Sequence, residues 1–329
     1  MSESKVICKN ASIEVEGVHK SFGKVVALSG VDIQVESGTV FALLGPNGSG
    51  KTTLVRILTT LLRPDSGTAK VAGYDVVSEA AMVRPLIGLA GQYPAVDENL
   101  SGKENLVMIG RLYHLGKKQA FVRADELLAD FNLLDAANRR TSTYSGGMRR
   151  RLDLAATLVA NPSILFLDEP TTGLDPRSRL SLWEIIKSQA VKCNSVFLTT
   201  QYLEEADHLA DSIAIMDGGK IIRQGSPQEL KDCCGGETLV RLKLTDRTQV
   251  SVASELLREI TRDKLHDDAE TGEISFPTSE GTSVLAEVVR RFELAGIKIT
   301  ELGLTQPTLD DVFLSITGHV AEDKTQVET

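Results

Sequence analysis

Gly45-Pro46-Asn47-Gly48-Ser49-Gly50-Lys51-Thr52 meets the pattern G-x-x-x-x-G-K-[ST] at every required position. A phosphate chain needs hydrogen-bond donors on several sides. A loop of small residues supplies them by turning its backbone N–H groups inward. Gly45, Gly48 and Gly50 permit backbone shapes that a Cβ would block. Lys51 then sets a positive charge between the β- and γ-phosphates, and the Thr52 hydroxyl can hold Mg2+. The flanks agree with this reading. Thr39 to Leu44 is an apolar run of strand length, and a helix is expected from Thr53 to about Leu62, stopped by Arg63-Pro64. Bound phosphates would therefore meet a helix N-terminus.

A second constellation lies downstream. Ile164-Leu165-Phe166-Leu167 runs directly into Asp168-Glu169. A continuous apolar run fits a strand buried on both faces of a parallel sheet, and ligands sit at the carboxyl ends of such strands. Asp168 there can hold Mg2+ opposite Thr52, and Glu169 can accept a proton from an attacking water. A solvated acidic turn is the alternative. Ser195 to Thr200 reads as another buried strand, ending at Gln201. Ile87 to Gly91 is a third, ending at Gln92, a residue type that can reach Mg2+ or a water from a strand end.

The rest of the chain supplies the frame. Ile13 to Val18 alternates as a strand, Lys20 to Gly23 reads as a turn, and Val25 to Val35 is strand-like. Phe22, upstream of the phosphate loop, could stack on an adenine ring or pack in a core. Ala69 to Val77 is a short strand region. Residues 97–160 are largely helical, with Ser101-Gly102-Lys103-Glu104 as a capping box, a second helix from Phe121 to Phe131, and a third after Ser145-Gly146-Gly147. Ser212 to Met216 and Gly219 to Ile222 form a hairpin around Asp217-Gly218. Beyond Glu229 the texture changes. Strands near Val240, Ile274 and Ile297-Lys298-Ile299 alternate with helices near Leu256 and Val288, and Pro307-Thr308-Leu309-Asp310-Asp311 caps a last helix. The expected fold is α/β: a phosphate-loop ATPase core in residues 1–228 with a helical insert at about 93–161, a small α+β unit at 229–318, and a disordered tail at 319–329.

Composition limits the partners. A length of 329 residues suits about two domains. No run of about eighteen apolar residues exists, so no membrane span is expected, and Met1 to Asn10 lacks the apolar core of a signal peptide. Both point to the cytosol. Cys8, Cys193, Cys233 and Cys234 have neither metal-ligand spacing nor a disulfide framework. Nearly all of the net charge of −9 falls in residues 230–329. Nothing resembles the basic face of a nucleic-acid binder, so no nucleic-acid partner is expected.

Tyr144-Ser145-Gly146-Gly147-Met148-Arg149 is a stretch that a generic phosphate-loop ATPase lacks. With it, residues 12–228 resemble the ATP-binding cassette family, whose signature is L-S-G-G-Q. The resemblance implies an RecA-like core sheet with an antiparallel N-terminal β-subdomain, and ATP and Mg2+ as ligands. It implies that Phe22 stacks on adenine, that Gln92 contacts Mg2+ and senses a membrane partner, and that Asp175 reaches across a dimer. Ser145, Gly146, Gly147 and Met148 would then act in trans, with Ser145 and Gly147 on the γ-phosphate of the opposite subunit. ATP would close a homodimer by bridging loop and signature. Gln201 stands where the family normally has its switch histidine. This glutamine, the Tyr-Ser-Gly-Gly-Met signature and the Pro-Thr-Leu-Asp-Asp-Val-Phe-Leu segment resemble the daunorubicin/doxorubicin-resistance ATP-binding proteins. The implied role is the ATPase subunit of an exporter, peripheral at the cytoplasmic membrane face, with separately encoded permease subunits. The alternative is a cassette ATPase acting on ribosomes or DNA. Those usually join two cassettes or insert a coiled coil, and this chain has one cassette and no such insert.

Overall fold

The computed structural model describes residues 11–91, 95–191, 195–232, 238–261, 265–278, 283–305 and 308–317. Gln92, Pro307, the four cysteines and the tail 319–329 lie outside the described residues. The chain divides into two compact units, one running through Pro227 and the other beginning at Gln228.

The first unit opens with β1 (Ala11–Phe22), β2 (Val25–Glu36), β3 (Val40–Leu44) and α1 (Lys51–Leu58). Next come β4 (Ser66–Val71), β5 (Tyr74–Asp75), α2 (Ala80–Val83) and β6 (Ile87–Ala90). A helical stretch follows, made of α3 (Gly102–Leu112), α4 (Lys117–Asp130) and α5 (Gly146–Thr157). The chain then returns through β7 (Ile164–Asp168), α6 (Pro176–Val191), β8 (Ser195–Thr200), α7 (Leu203–Leu209), β9 (Ser212–Asp217) and β10 (Lys220–Gly225). α8 (Pro227–Asp232) stands at the division.

Two sheets share one core. The first is antiparallel, in the order β2-β1-β4-β5, and the second runs β10-β9-β3-β8-β7-β6. Strands β9, β3, β8, β7 and β6 are mutually parallel, and only β10 is antiparallel. Every residue of β3, β7 and β8 is buried, as continuous apolar runs between two covering layers require. Phe41, Phe197 and Phe166 stand on β3, β8 and β7, with ring centroids 5.2 and 5.6 Å apart. β1 and β2 bury alternate residues, Ile13 and Val15 against Ile33 and Val35, as expected of strands with one covered face.

Ser101 forms the expected capping box. Its hydroxyl accepts from Glu104 N at 3.2 Å, and its own amide donates to Glu104 Oε2 at 2.8 Å. Buried Asn105 ties the same turn to Asp97, donating to the Asp97 carbonyl at 3.0 Å and accepting from the Asp97 amide at 2.8 Å.

Several local expectations shift. Lys20 to Phe22 belong to β1, and the turn is Gly23-Lys24. The helix after the phosphate loop ends at Leu58, not Leu62. Thr60 takes a φ of 62°, and the amides of Leu61 and Leu62 both return to the Arg56 carbonyl, so the turn closes before Pro64 can act. Ala69 to Val77 contains a reversal, β4 to β5, and α4 begins at Lys117, before Phe121. The β9–β10 turn is Gly218-Gly219. α6 and α7 were not read from the sequence. α6 carries the start signals of an aspartate followed by proline at its first position, and it buries Leu182, Trp183 and Ile186.

The second unit contains β11 (Thr238–Leu244), α9 (Val250–Thr261), β12 (His266–Asp268), β13 (Glu273–Thr278), α10 (Ser283–Leu294), β14 (Ile299–Thr305) and α11 (Leu309–Thr317). The sheet order β12-β13-β11-β14 is antiparallel throughout, a split β-α-β arrangement. Val240, Leu242, Ile274 and Phe276 face Leu257, Val288 and Phe292 of α9 and α10. The expected strand at Ile297 starts two residues later, because the Ile297 amide donates to the Phe292 carbonyl at 2.9 Å and closes the end of α10. Thr308 and Asp311 cap α11: the Thr308 hydroxyl donates to Asp311 Oδ2 at 2.7 Å, and Arg241 donates to both carboxylate oxygens at 2.9 and 2.7 Å.

Candidate nucleotide-binding site

Residues Gly45 to Gly50 link the end of β3 to the start of α1. Gly50 has a φ of 111°, and a Cβ there would collide with the Ala27 carbonyl, so only glycine fits. β2 thus passes the loop at Ala27, two residues after Val25, the strand partner of Phe22. Phe22 is half-exposed, with Lys20 Nζ 5.7 Å from its ring centroid. The Ser49 amide donates to the Pro46 carbonyl, and the Ser49 carbonyl accepts from Gly219 N at 3.1 Å. Ser49 Oγ is buried and has no hydrogen-bond partner among the described residues. Asn47 and Gly48 form the exposed tip of the loop, and Thr52 and Thr53 stand in the first turn of α1.

The basic and acidic groups converge here. Lys51 is buried. Its Nζ donates to the carbonyls of Gly45 and Pro46 at 2.7 and 3.0 Å and lies 3.6 Å from Glu169 Oε1. Burial pulls the Lys51 ammonium below its ordinary value, and the Glu169 and Asp168 charges oppose that pull. Thr52 Oγ1 lies 3.2 Å from Asp168 Oδ1, which also accepts from Thr199 Oγ1 at 2.6 Å. A hydroxyl and a carboxylate are the oxygen donors that a hard cation such as Mg2+ takes, so the pair fits that ion. Glu169 sits at the end of β7 with a φ of 49°. Gln201 follows β8 directly and is half-buried.

The signature residues stand elsewhere. Ser145 caps α5 by accepting from Met148 N at 3.2 Å, and Ser145 and Gly146 are exposed while Met148 is half-buried. A Cβ on Gly147 would lie 2.6 Å from Ser178 Oγ. Ser178 in turn donates to Asp175 through its amide at 2.9 Å and its hydroxyl at 2.6 Å, so Asp175 caps the first turn of α6. Tyr144 anchors the segment from behind, donating to the Ala136 carbonyl at 2.7 Å.

The family model for ABC transporters matches residues 28–172. The chain is 49% identical to a daunorubicin resistance ATP-binding protein of Streptomyces coeruleorubidus, over 94% of this chain and 96% of that one. It is 48% identical to a doxorubicin resistance ATP-binding protein of Mycobacterium tuberculosis, over 96% of each. The chain belongs to the ATP-binding cassette family. Within it, the chain falls among the daunorubicin/doxorubicin-resistance ATP-binding proteins. The solved ADP conformation of an ATP-binding cassette superposes with a TM-score of 0.62 at 25% identity, covering 67% of this chain and 93% of that one. The chain is accordingly an ATP-binding, ATP-hydrolysing subunit of an ABC exporter, and the ribosome- or DNA-acting alternative is not favoured. No helix among the described residues is long and apolar enough to cross a membrane.

Sequence reasoning missed four side chains around this site: Thr199, Arg150, Asp153 and Glu205. Glu205 is fully buried on α7, four residues after Gln201, and accepts from Trp183 Nε1 at 3.0 Å. Burial raises its carboxyl above the ordinary 4.5, against the opposing pull of Thr200, Thr171, Trp183 and Arg179. A raised folded value means that the folded state binds more protons. The stability from this group is therefore present below about pH 4.5 and is lost as pH rises through the folded value. Glu205→Gln keeps the shape and cannot ionise. Melting temperature followed from pH 4.5 upward should fall for the parent relative to this variant. Parallel curves would show that Glu205 ionises without cost.

Proposed function

We propose that the chain powers export of a hydrophobic drug, antibiotic or lipid through separately encoded integral-membrane permease subunits, working as an ATP-closed homodimer at the cytoplasmic face of the membrane. The observation that carries this reading is the division of polar groups. Lys51, Thr52, Asp168 and Glu169 meet at one site, whereas Ser145 stands exposed at the start of α5 and Gly147 lies against Ser178, which Asp175 holds. The signature is thereby free to serve a second copy.

Lys51 and the loop amides bind the β- and γ-phosphates, and Phe22 stacks on the adenine. Thr52 and Asp168, with Gln92, would hold Mg2+, which when bound neutralises charge on the phosphate oxygens. Glu169 accepts the proton of the attacking water. The Gln201 amide offers both donors and an acceptor and orients that water against the γ-phosphate. Ser145, Gly146, Gly147 and Met148 of a second copy present the N-terminus of α5 to the same phosphate, where amides and dipole favour negative charge. Asp175 of each copy faces the other across a two-fold axis. Hydrolysis gives ADP and inorganic phosphate and removes the bridge between copies.

Glu169→Gln keeps shape and hydrogen bonding but accepts no proton. Single-turnover hydrolysis should fall by roughly 10²–10⁴-fold while ATP binding persists. A parent rate would remove Glu169 as the base. Lys51→Ala and Ser145→Arg protomers, each inactive alone, should regain part of their ATPase activity when mixed, since both defects then fall in one of the two sites. Demonstrated heterodimers without recovery would rule against sites built across an interface. The chain should co-sediment with membranes only when a polytopic partner is co-expressed. Equal sedimentation without that partner would sink the permease assignment.

A further inference from the structure

Arg149-Arg150-Arg151 follows the signature as a basic run, and its three members have different surroundings. Arg149 pairs with exposed Glu98 at 3.0 Å, and Arg151 reaches the carbonyls of Gly147 and Phe131 at 3.4 and 3.2 Å. Arg150 is buried and turns into the site. Its Nε donates to the Pro170 carbonyl at 2.7 Å, and Nη2 donates to the carbonyls of Asp168 and Glu169 at 3.3 and 3.2 Å. Nη1 donates to the Gly91 carbonyl at 2.7 Å and to Asp153 Oδ2 at 3.4 Å. A guanidinium has five N–H donors in a fixed fork, and here it makes five hydrogen bonds. Four go to backbone carbonyls, so it fixes main chain and does not itself engage the Asp168 or Glu169 carboxylate.

Glu169 needs such a hold. A non-glycine residue at a φ of 49° persists only where its surroundings over-determine it. The Glu169 amide donates to Thr199 at both the carbonyl and the hydroxyl, each at 3.1 Å. Its carbonyl is held from the other side by Arg150. The carboxylate therefore leaves the chain from a backbone pinned at both ends. The same helix grips the segment after β6: Asp153 Oδ1 accepts from Ala95 N at 2.7 Å while Arg150 takes Gly91. α5 thus joins the signature at its N-terminus to the acidic end of β7 and to both flanks of residues 92–94, through one buried ion pair.

We propose that Arg150 is a positioning residue for ATP hydrolysis, holding the strained Glu169 backbone in register with the phosphate loop and coupling the signature helix to it. This rests on Glu169 being the base. A lysine at this position keeps the charge but lacks the fork, so it cannot span the carbonyls of Gly91, Glu169 and Pro170 together.

The test is a double-mutant cycle on the full-length chain, with single-turnover hydrolysis of radiolabelled Mg-ATP and equilibrium ATP binding measured in parallel. Arg150→Lys should slow hydrolysis by roughly 10–10²-fold, the worth of a misplaced reacting group, with ATP affinity kept within about threefold. Placed in a Glu169→Gln background, the same change should cost less than about twofold, because a group acting through Glu169 has nothing left to position. Equal losses in both backgrounds, or a parent rate for Arg150→Lys, would overturn the proposal. A Glu169→Gln chain that hydrolyses at the parent rate would instead overturn the base assignment, and the inference with it. If Arg150→Lys does not fold, Arg150→Gln is judged by the same criteria. Failure of both to fold makes Arg150 a folding determinant and also overturns the proposal.

Discussion

β3, β8 and β7 lie side by side in one parallel register, with Leu44 opposite Thr200 and Thr199 opposite Asp168. The three segments that leave these strands, the phosphate loop, Gln201 and Glu169, therefore start from one line. Neighbouring strands stand about 4.8 Å apart, so a hydroxyl on β8 can bridge a carboxylate on β7, as Thr199 does. A slip of one residue would turn Asp168 to the opposite face of the sheet and break that contact. The rings of Phe41, Phe197 and Phe166, carried on the same three strands, oppose such a slip by packing in file.

How far the sequence discloses this site follows from the range over which each group acts. The phosphate loop is contiguous, and its work is local, so eight letters suffice. Asp168 and Glu169 announce themselves because an apolar run ends in two acids. The signature is different. Ser145-Gly146-Gly147 reads locally as a helix cap, and its proposed phosphate role enters only through family resemblance. Arg150 and Asp153 left no signal. They act on carbonyls and amides of distant segments, and backbone groups carry no residue-specific letter. Thr199 was hidden in a strand that reads as plain core, and Glu205 stands beside Glu204 in the first turn of the short α7, where two adjacent acids read as a solvated helix start. The end of α1 was misplaced because the stop came from the Thr60 backbone rather than from Pro64.

The second unit shows the same split between local and distant causes. Its alternating strands were legible, and so was the Thr308–Asp311 cap. Two things were not. One was the sheet order, which depends on which strands meet. The other was the partner of Asp311, since Arg241 lies on β11 seventy residues earlier. The Arg241–Asp311 bridge fastens the start of α11 to the sheet of its own unit by a charge-assisted fork.

Trp183 is the only tryptophan in 329 residues. Its indole N–H is bonded to Glu205, its ring lies 4.9 Å from the His208 ring, and both partners belong to α7, the helix that follows Gln201. The chain consequently carries a built-in optical probe at the joint between α6 and α7. Indole emission depends on hydrogen bonding and on nearby charge, so one intrinsic signal, free of any label, reports the packing of the segment that delivers Gln201.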